Sequence, residues 1–448
     1  MARFIRAISI EGLFDLYDHE IELRQAEPVT IVAGPNGIGK TTLFGLTHSL
    51  MSGAFEGLAR HAFATLAVES SDGGRIAIQR LEAPEPETEP PGRKRPTFLL
   101  TYKPKRGNLR EETIRLSRGR QLGLLPPGVE QLGLDEFIDR TTGERISSDD
   151  VARRIARMRL TRRLETPDLP DWFTDAMSPT DFIETKRLDS LMTQRARAHR
   201  AGRSGPDRAH EPAPIHHYLD AVQTAMEHAR FESTRIAQRR DRSFAKRLLD
   251  KASRRSVKES EIRARYSELE ARASQYERNG LLADTLDVLS AEKLTPTDRW
   301  VLALFLDDFE VKSKPLQPVS LKLDQLRDII DSKFLNKRLD LQMRRGVTFL
   351  GQPGEVDLNA DALSSGEQHE LALVSRLLFS VSSGTTVLID EPELSLHVSW
   401  QHRMLDDFTA IARVARLRFV LATHSTAIIN GRWDLVEELG PIDDGPAG

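Results

Sequence analysis

The chain has 448 residues, enough for two or three domains, with 39% hydrophobic residues, 29% charged residues and no cysteine. The missing cysteine excludes disulfides and thiolate metal centres, and no window approaches the roughly 18 apolar residues of a membrane span. A net charge of −3 gives no global sign of a nucleic-acid binder.

Glu11 interrupts the first apolar stretch, which argues against a signal peptide and for a soluble, cytoplasmic chain without membrane contact. "FIRAISI" and "YDHEIEL" alternate in part as short strands, expected to join through Gly12 as in a hairpin or meander. "PVTIVAG" is a continuous apolar run after proline, the pattern of a buried central strand. "TTLFGLTHSLMSG" predicts a helix stopped at Gly53, and "GRIAIQRL" another strand. Residues 83–96 and 201–214 are rich in proline, glycine and charge, as solvated loops are. "DDVARRIARMRLTRRLE" predicts a helix capped near Ser148 or Asp149. From Ile215 to Thr295 there is no proline and one glycine, Gly280, a long helical signal. Within it Ile262, Tyr266, Leu269, Ala273 and Tyr276 form a narrow stripe, either a coiled-coil-like seam or an ordinary amphipathic face. From 186 to 258 there are 18 Lys/Arg against 8 Asp/Glu, either a polyanion contact or a solvated helical face.

Residues 34–42, "GPNGIGKTT", match the spacing G-x-x-x-x-G-K-[ST] between a predicted strand and a predicted helix. Gly34, Pro35, Asn36, Gly37, Ile38 and Gly39 would wrap a phosphate chain with backbone N–H groups, which glycine allows by accepting positive φ. Lys40 would sit against the β- and γ-phosphates and the Thr41 hydroxyl on Mg²⁺, with Thr42 completing the turn. The ligands expected are therefore ATP and Mg²⁺.

Near the other end, "TTVLIDEPELSLH" is a strand ending in two acids: Asp390 to hold the metal shell, Glu391 to polarise an attacking water. "LSSGEQHE" puts Ser364, Ser365, Gly366 and Glu367 at a helix start, readable as an anion site or as an ordinary capping box. "FVLATHS" is a further buried strand, and His424 at its end is placed for a γ-phosphate contact.

In this order, "GPNGIGKTT", "LSSGEQ", "LIDEPELSLH" and "LATHS" resemble the ABC-type ATPases. Lys40 and Ser364 are 324 residues apart, far more than a transporter cassette needs. The chain is therefore similar to the SMC/RecF/OLD-like branch (AAA_15/AAA_21 type), in which a helical insertion splits an α/β P-loop head. The resemblance implies residues 1–185 as the first half of the head, 186–335 as the insertion and 336–448 as the second half. It covers the first 80 residues or so and everything from about 345 onward. It further implies a head-to-head dimer or a higher homo-oligomer. One copy would then supply residues 34–42, Asp390, Glu391 and His424, and the other the Ser364–Gly366 helix.

Departures from the branch are Ser365 for glycine, His397 for an aspartate, and Lys186 where "DFIETKRL" should carry the metal-binding glutamine; Gln79 is the substitute candidate. "HHYLDAV…DRSFAKRLL" and "IINGRWDLVEEL" are similar to stand-alone anti-phage ATPases such as the PARIS-type ATPase subunits. That likeness implies a nuclease effector and a phage-derived trigger as partners. Two other classes remain open: a RecF-like repair ATPase with nucleic acid as its partner, and a scaffold that binds ATP without appreciable turnover.

Overall fold

The computed structural model describes residues 3–81, 97–115, 129–131, 136–139, 144–147, 169–185, 214–250, 257–287, 289, 293–351, 356–394 and 396–440. The predicted helix at 149–165, the two loop clusters, Lys186 and the first part of the basic stretch lie outside these residues.

In chain order the strands and longer helices begin with β1 (Ile5–Leu13), β2 (Tyr17–Glu22), β3 (Val29–Ala33) and helix α1 (Lys40–Ser52). Next come β4 (Thr65–Ser70), β5 (Arg75–Leu81), β6 (Thr97–Lys103), β7 (Arg110–Arg115), β8 (Val129–Gln131), β9 (Glu136–Asp139), β10 (Glu144–Ser147) and β11 (Thr180–Glu184). Four helices follow: α2 (Pro214–Leu249), α3 (Glu259–Arg278), α4 (Pro296–Ser313) and α5 (Leu316–Lys333). The chain then runs through β12 (Lys337–Gln342), β13 (Gly346–Gly351), β14 (Val356–Leu358), α6 (Ser365–Ser375), β15 (Thr386–Asp390), α7 (Met404–Ala415), β16 (Arg418–Ala422) and β17 (Val436–Glu438).

The described residues form two compact units. The first draws on Met1–Phe4, Leu23–Asn36 and Thr180–Glu438. Its centre is a five-stranded, wholly parallel sheet in the order β11-β15-β16-β3-β17. Every residue of β15 is buried, as a strand covered on both faces requires. The register sets Glu184 beside Asp390, Asp390 beside Ala422, and Ala422 beside Val32, so β11, β15 and β16 end level at one edge and β3 runs one residue further. In open parallel sheets that carboxyl edge is where ligands bind.

One core spans this unit. Val387 and Ile389 of β15, Phe419 and Leu421 of β16, Phe408 of α7 and Leu371 of α6 share it with Val222 and Met226 of α2 and Leu326 of α5. Burying each such side chain contributes roughly 1.5–3 kcal/mol. The first half of α2 is thus built into the sheet's core, while its second half, from Arg230 on, carries few buried residues. A smaller cluster, Ile262, Leu269, Leu294 and Leu306, joins α3 to α4. The α3 stripe is therefore buried within its own chain, with the Tyr266 hydroxyl donating to Asp287 O at 2.7 Å.

The long helical signal is broken twice. α2 ends at Leu249 and α3 at Arg278, after which Gly280 turns the chain at φ 63° and residues 281–287 are not helical. Absence of proline permits a helix but does not extend one where no apolar stripe continues.

The second unit draws on Ile5–Glu22, Gly37–Pro179 and Leu439–Gly448. It holds an antiparallel sheet, β2-β1-β4-β5-β6-β7, a small sheet β10-β9-β8, and α1. Alternating burial of Leu66, Val68, Ile76, Ile78, Phe98 and Leu100 marks its apolar face. The first hairpin differs from expectation. Gly12 lies inside β1 at a register shift, with φ 65° and its N–H donated to Asp18 Oδ1 at 2.6 Å. The turn itself spans Phe14, Asp15 and Leu16 between the paired Leu13 and Tyr17, with Phe14 and Asp15 at positive φ and the Leu16 N–H donated to Leu13 O at 3.1 Å.

Candidate nucleotide-binding site

The carboxyl edge of the parallel sheet collects the acids read from the sequence. Asp390 ends β15 and is 5% exposed. Its carbonyl accepts the Thr185 hydroxyl at 2.8 Å, tying it to the end of β11. Glu391 leaves the strand at φ 48°, a left-handed conformation costly for a residue other than glycine. Its N–H donates to Ala422 O at 2.8 Å, which holds that conformation against β16. Beyond β16, Thr423 is buried and His424 is exposed. Both bond to Glu393: its Oε1 accepts the Thr423 hydroxyl at 2.8 Å and the His424 N–H at 3.3 Å. β3 ends at the same edge, and Gly34, Pro35 and Asn36 follow it, with Pro35 and Asn36 exposed.

The remainder of the loop belongs to the second unit. Gly37 and Gly39 have φ of 86° and 99°, the region glycine enters without penalty. A Cβ on Gly37 would meet nothing, whereas one on Gly39 would lie 2.5 Å from Leu13 Cδ2. Ile38 is buried, and His19 Nε2 lies 2.9 Å from its carbonyl oxygen, bracing the loop from β2. α1 opens at Lys40 with no side-chain cap and no acid in its first turn. Such a terminus favours anions electrostatically. Lys40 is buried, Thr41 exposed and Thr42 half-buried.

The serine turn sits at the start of α6 in the first unit, with Ser364 and Ser365 exposed and Gly366 half-buried. Ser364 and Glu367 form a reciprocal capping box. Lys337 Nζ reaches both carboxylate oxygens of Glu367, at 2.7 and 2.9 Å. Burial opposes ionisation of Glu367, but Lys337 and the Ser364 donors outweigh it and hold its pKa below the usual carboxylate value. The Glu367 carboxylate is thus engaged in its own helix cap. One turn on, Glu370 and Asp407 both pair with the buried Lys333.

Gln79 lies exposed on β5 in the second unit, and His397 is exposed and bonded to Ser399. Among the described residues no group of three or more His, Asp or Glu could hold a metal by itself. Mg²⁺ takes one or two protein oxygens and keeps water and phosphate for the rest. In the first unit the buried Asp390 offers a carboxylate at the sheet edge; in the second, the Thr41 side chain is exposed behind loop glycines of positive φ. Sequence reasoning missed Glu393, Thr185 and His19. All three lie inside stretches read as strands or motifs, but nothing in their spacing says what they bond.

Residues 145–430, more than half of the chain, match the AAA_21 family model, described as "AAA domain, putative AbiEii toxin, Type IV TA system". The chain belongs to the AAA_21 family. No curated protein shows significant similarity to this AAA_21 chain. Among solved structures, an Smc head domain from Pyrococcus furiosus bound to the C-terminal domain of ScpA is similar at 11% identity and a TM-score of 0.34. That match covers 98% of this chain and 94% of the other. The SMC head domain from Thermotoga maritima is similar at 10% identity and a TM-score of 0.32, covering 97% and 94%. Likenesses this distant do not bear on function. No helix among the described residues is long and apolar enough to cross a membrane.

Proposed function

We propose that this AAA_21 chain binds ATP with Mg²⁺ and hydrolyses it to ADP and phosphate. The observation that carries this reading is the shared carboxyl edge at which β3, β15 and β16 end. It sets the start of the glycine loop, Asp390–Glu391 and His424 along one sheet edge. Asp390 and Thr41 would hold Mg²⁺, which when bound neutralises charge on the transferred and leaving oxygens. Lys40 and the N–H groups of residues 34–42 bind and orient the phosphates. Glu391 accepts the proton of the attacking water, or orients that water, and His424 faces the γ-phosphate side.

Ser364 and Ser365 are exposed at a capped helix start, as they must be to meet a neighbouring copy's nucleotide. ATP would then join two copies of the chain, and hydrolysis would release them. In the cell we place this gate in an anti-phage complex, where it senses a phage-derived trigger and restrains or frees a nuclease effector. The PARIS-like segments of the sequence support that role, as does the toxin–antitoxin description of the family. Steady-state phosphate release, wild type against Glu391→Gln and Lys40→Ala, tests the chemistry. Turnover equal in all three rejects it. Co-purification from the native operon tests the role: no bound effector, and no change on trigger addition, rejects it.

A second reading, direct DNA binding, is favoured by one face of α2. Arg235, Arg239, Arg242 and Lys246 recur at helical spacing and are all exposed. Arg239, Arg242 and Lys246 have no ionic partner among the described residues, and Phe231 and Leu249, 66% and 76% exposed, flank them. DNA affinity falling steeply with salt supports this reading, and no binding at low salt removes it.

A further inference from the structure

We infer that Glu393 is a positioning residue for hydrolysis: its carboxylate clamps the turn that carries His424 to the acidic strand end that carries Glu391. The inference rests on the hydrolytic reading above and assigns a job to a side chain which that reading does not use.

β15 and β16 run parallel and their last residues, Asp390 and Ala422, lie side by side. Past that point the sheet no longer fixes either chain. Two bonds replace it. Backbone to backbone, Glu391 N–H donates to Ala422 O at 2.8 Å. Side chain to chain, Glu393 Oε1 accepts the Thr423 hydroxyl at 2.8 Å and the His424 N–H at 3.3 Å. The Thr423 hydroxyl oxygen in turn accepts the Ser425 N–H at 2.9 Å, so the turn is braced on both sides of His424. Ser425 continues the network by donating its hydroxyl to Gln401 Oε1 at 2.9 Å. Gln401 donates to Leu396 O at 3.3 Å, just past the acidic strand.

Glu393 uses one oxygen for both donors. Its other oxygen, Oε2, is buried and has no hydrogen-bond partner among the described residues. A carboxylate left half unsatisfied costs stability, so stability alone does not explain an acid here. What the carboxylate supplies is two charge-assisted bonds, one from the Thr423 hydroxyl and one from the backbone N–H of His424. Glu391 and Glu393 flank Pro392, whose fixed φ limits how far the second acid can drift from the first. The pair therefore reads as one device: Glu391 meets water and Glu393 holds the partner strand's histidine in step with it.

The test uses the full chain in four forms besides wild type: Glu393→Ala, Glu393→Gln, His424→Ala, and the double variant of Glu393→Ala with His424→Ala. Losing two bonds to a charged acceptor should lower kcat for ATP by about ten- to a hundredfold. The KM for ATP and the affinity for a fluorescent ATP analogue should stay within about threefold. Glu393→Gln keeps an acceptor oxygen and should recover most of the rate. In the His424→Ala background, Glu393→Ala should add less than about a twofold loss, because both act through one group. A wild-type kcat in Glu393→Ala overturns the proposal, as do losses that multiply fully in the double variant.

Should the alanine variant not fold, Glu393→Asp, one methylene short, carries the test: a rate as low as expected for alanine supports the clamp, and a wild-type rate overturns it. A wild-type chain that releases no phosphate rejects the hydrolytic reading separately. The clamp is then read from the His424 imidazole resonances by NMR, which should move between wild type and Glu393→Ala or Glu393→Asp and lie nearer wild type in Glu393→Gln. Identical resonances overturn it.

Discussion

Lys337 and Glu367 meet through both carboxylate oxygens, at 2.7 and 2.9 Å, on the residue that closes the cap of α6. The same helix is held one turn later by Lys333, so two lysines from the α5–β12 junction grip the helix that presents the serine turn.

Replacing Lys337 by methionine should cost about 1–2 kcal/mol of unfolding free energy at neutral pH, read by urea denaturation. Glu367 has a depressed pKa, so its contribution is present above the ordinary carboxylate pKa and is lost as pH falls through the lowered value. The gap between wild type and Lys337→Met should therefore shrink as the titration proceeds into acid.

The Lys333 side chain is buried between Glu370 and Asp407 and pairs with both. Burial opposes its charge, but the two acids outweigh it and raise its pKa above the usual lysine value. Lys333→Met alone should destabilise by about 3–5 kcal/mol, because it strands two buried acids. Adding apolar replacements at 370 and 407 should restore most of that loss. The stabilisation carried by Lys333 is complete below the ordinary lysine pKa and fades as pH rises through the raised one, which thermal melts in alkaline buffers would register.

Glu391 combines a chemical role with a left-handed backbone. Asn tolerates that conformation better than Gln. Glu391→Asn and Glu391→Gln should both lower phosphate release by about 10²–10⁴-fold. Only the Asn variant should also gain stability, by about 0.5–1 kcal/mol. Equal denaturation midpoints would remove the strain argument while leaving the chemical one.

The two loop glycines should respond differently to alanine. Gly37→Ala meets open space and carries only the cost of positive φ, about 1 kcal/mol. Gly39→Ala has that cost and a collision with Leu13, so a loss of about 2–4 kcal/mol is expected, with nucleotide affinity falling alongside. Differential scanning calorimetry with and without Mg-ATP would separate the two.

Much of the parallel sheet is legible because its strands are unbroken apolar runs: "PVTIVAG" and "TTVLIDE" contain β3 and β15, and "FVLATHS" begins one residue into β16. α1 and its stop at Gly53 were legible for the same local reason, a helical stripe ended by a glycine at positive φ. Ser364 and Glu367 were readable as a capping box because that motif is a fixed spacing. What escaped was everything decided by distance along the chain. No local pattern says that Glu393 bonds Thr423, that Lys333 pairs with Glu370, or that His19 braces Ile38. The hairpin turn lies two residues past Gly12, the residue type that marks turns, because Phe14 and Asp15 adopt positive φ without a glycine.

α2 is 36 residues long, a rod of about 54 Å. Its first half packs against α6, which presents the serine turn, and its second half is tied to α4 by the pairs Arg247–Asp308 and Lys312–Asp241. In mechanical terms it is a beam held along its length. A load taken up by α4 would pass through it to the helix that offers Ser364 and Ser365, so an event at the far end would be felt as a shift of that serine turn.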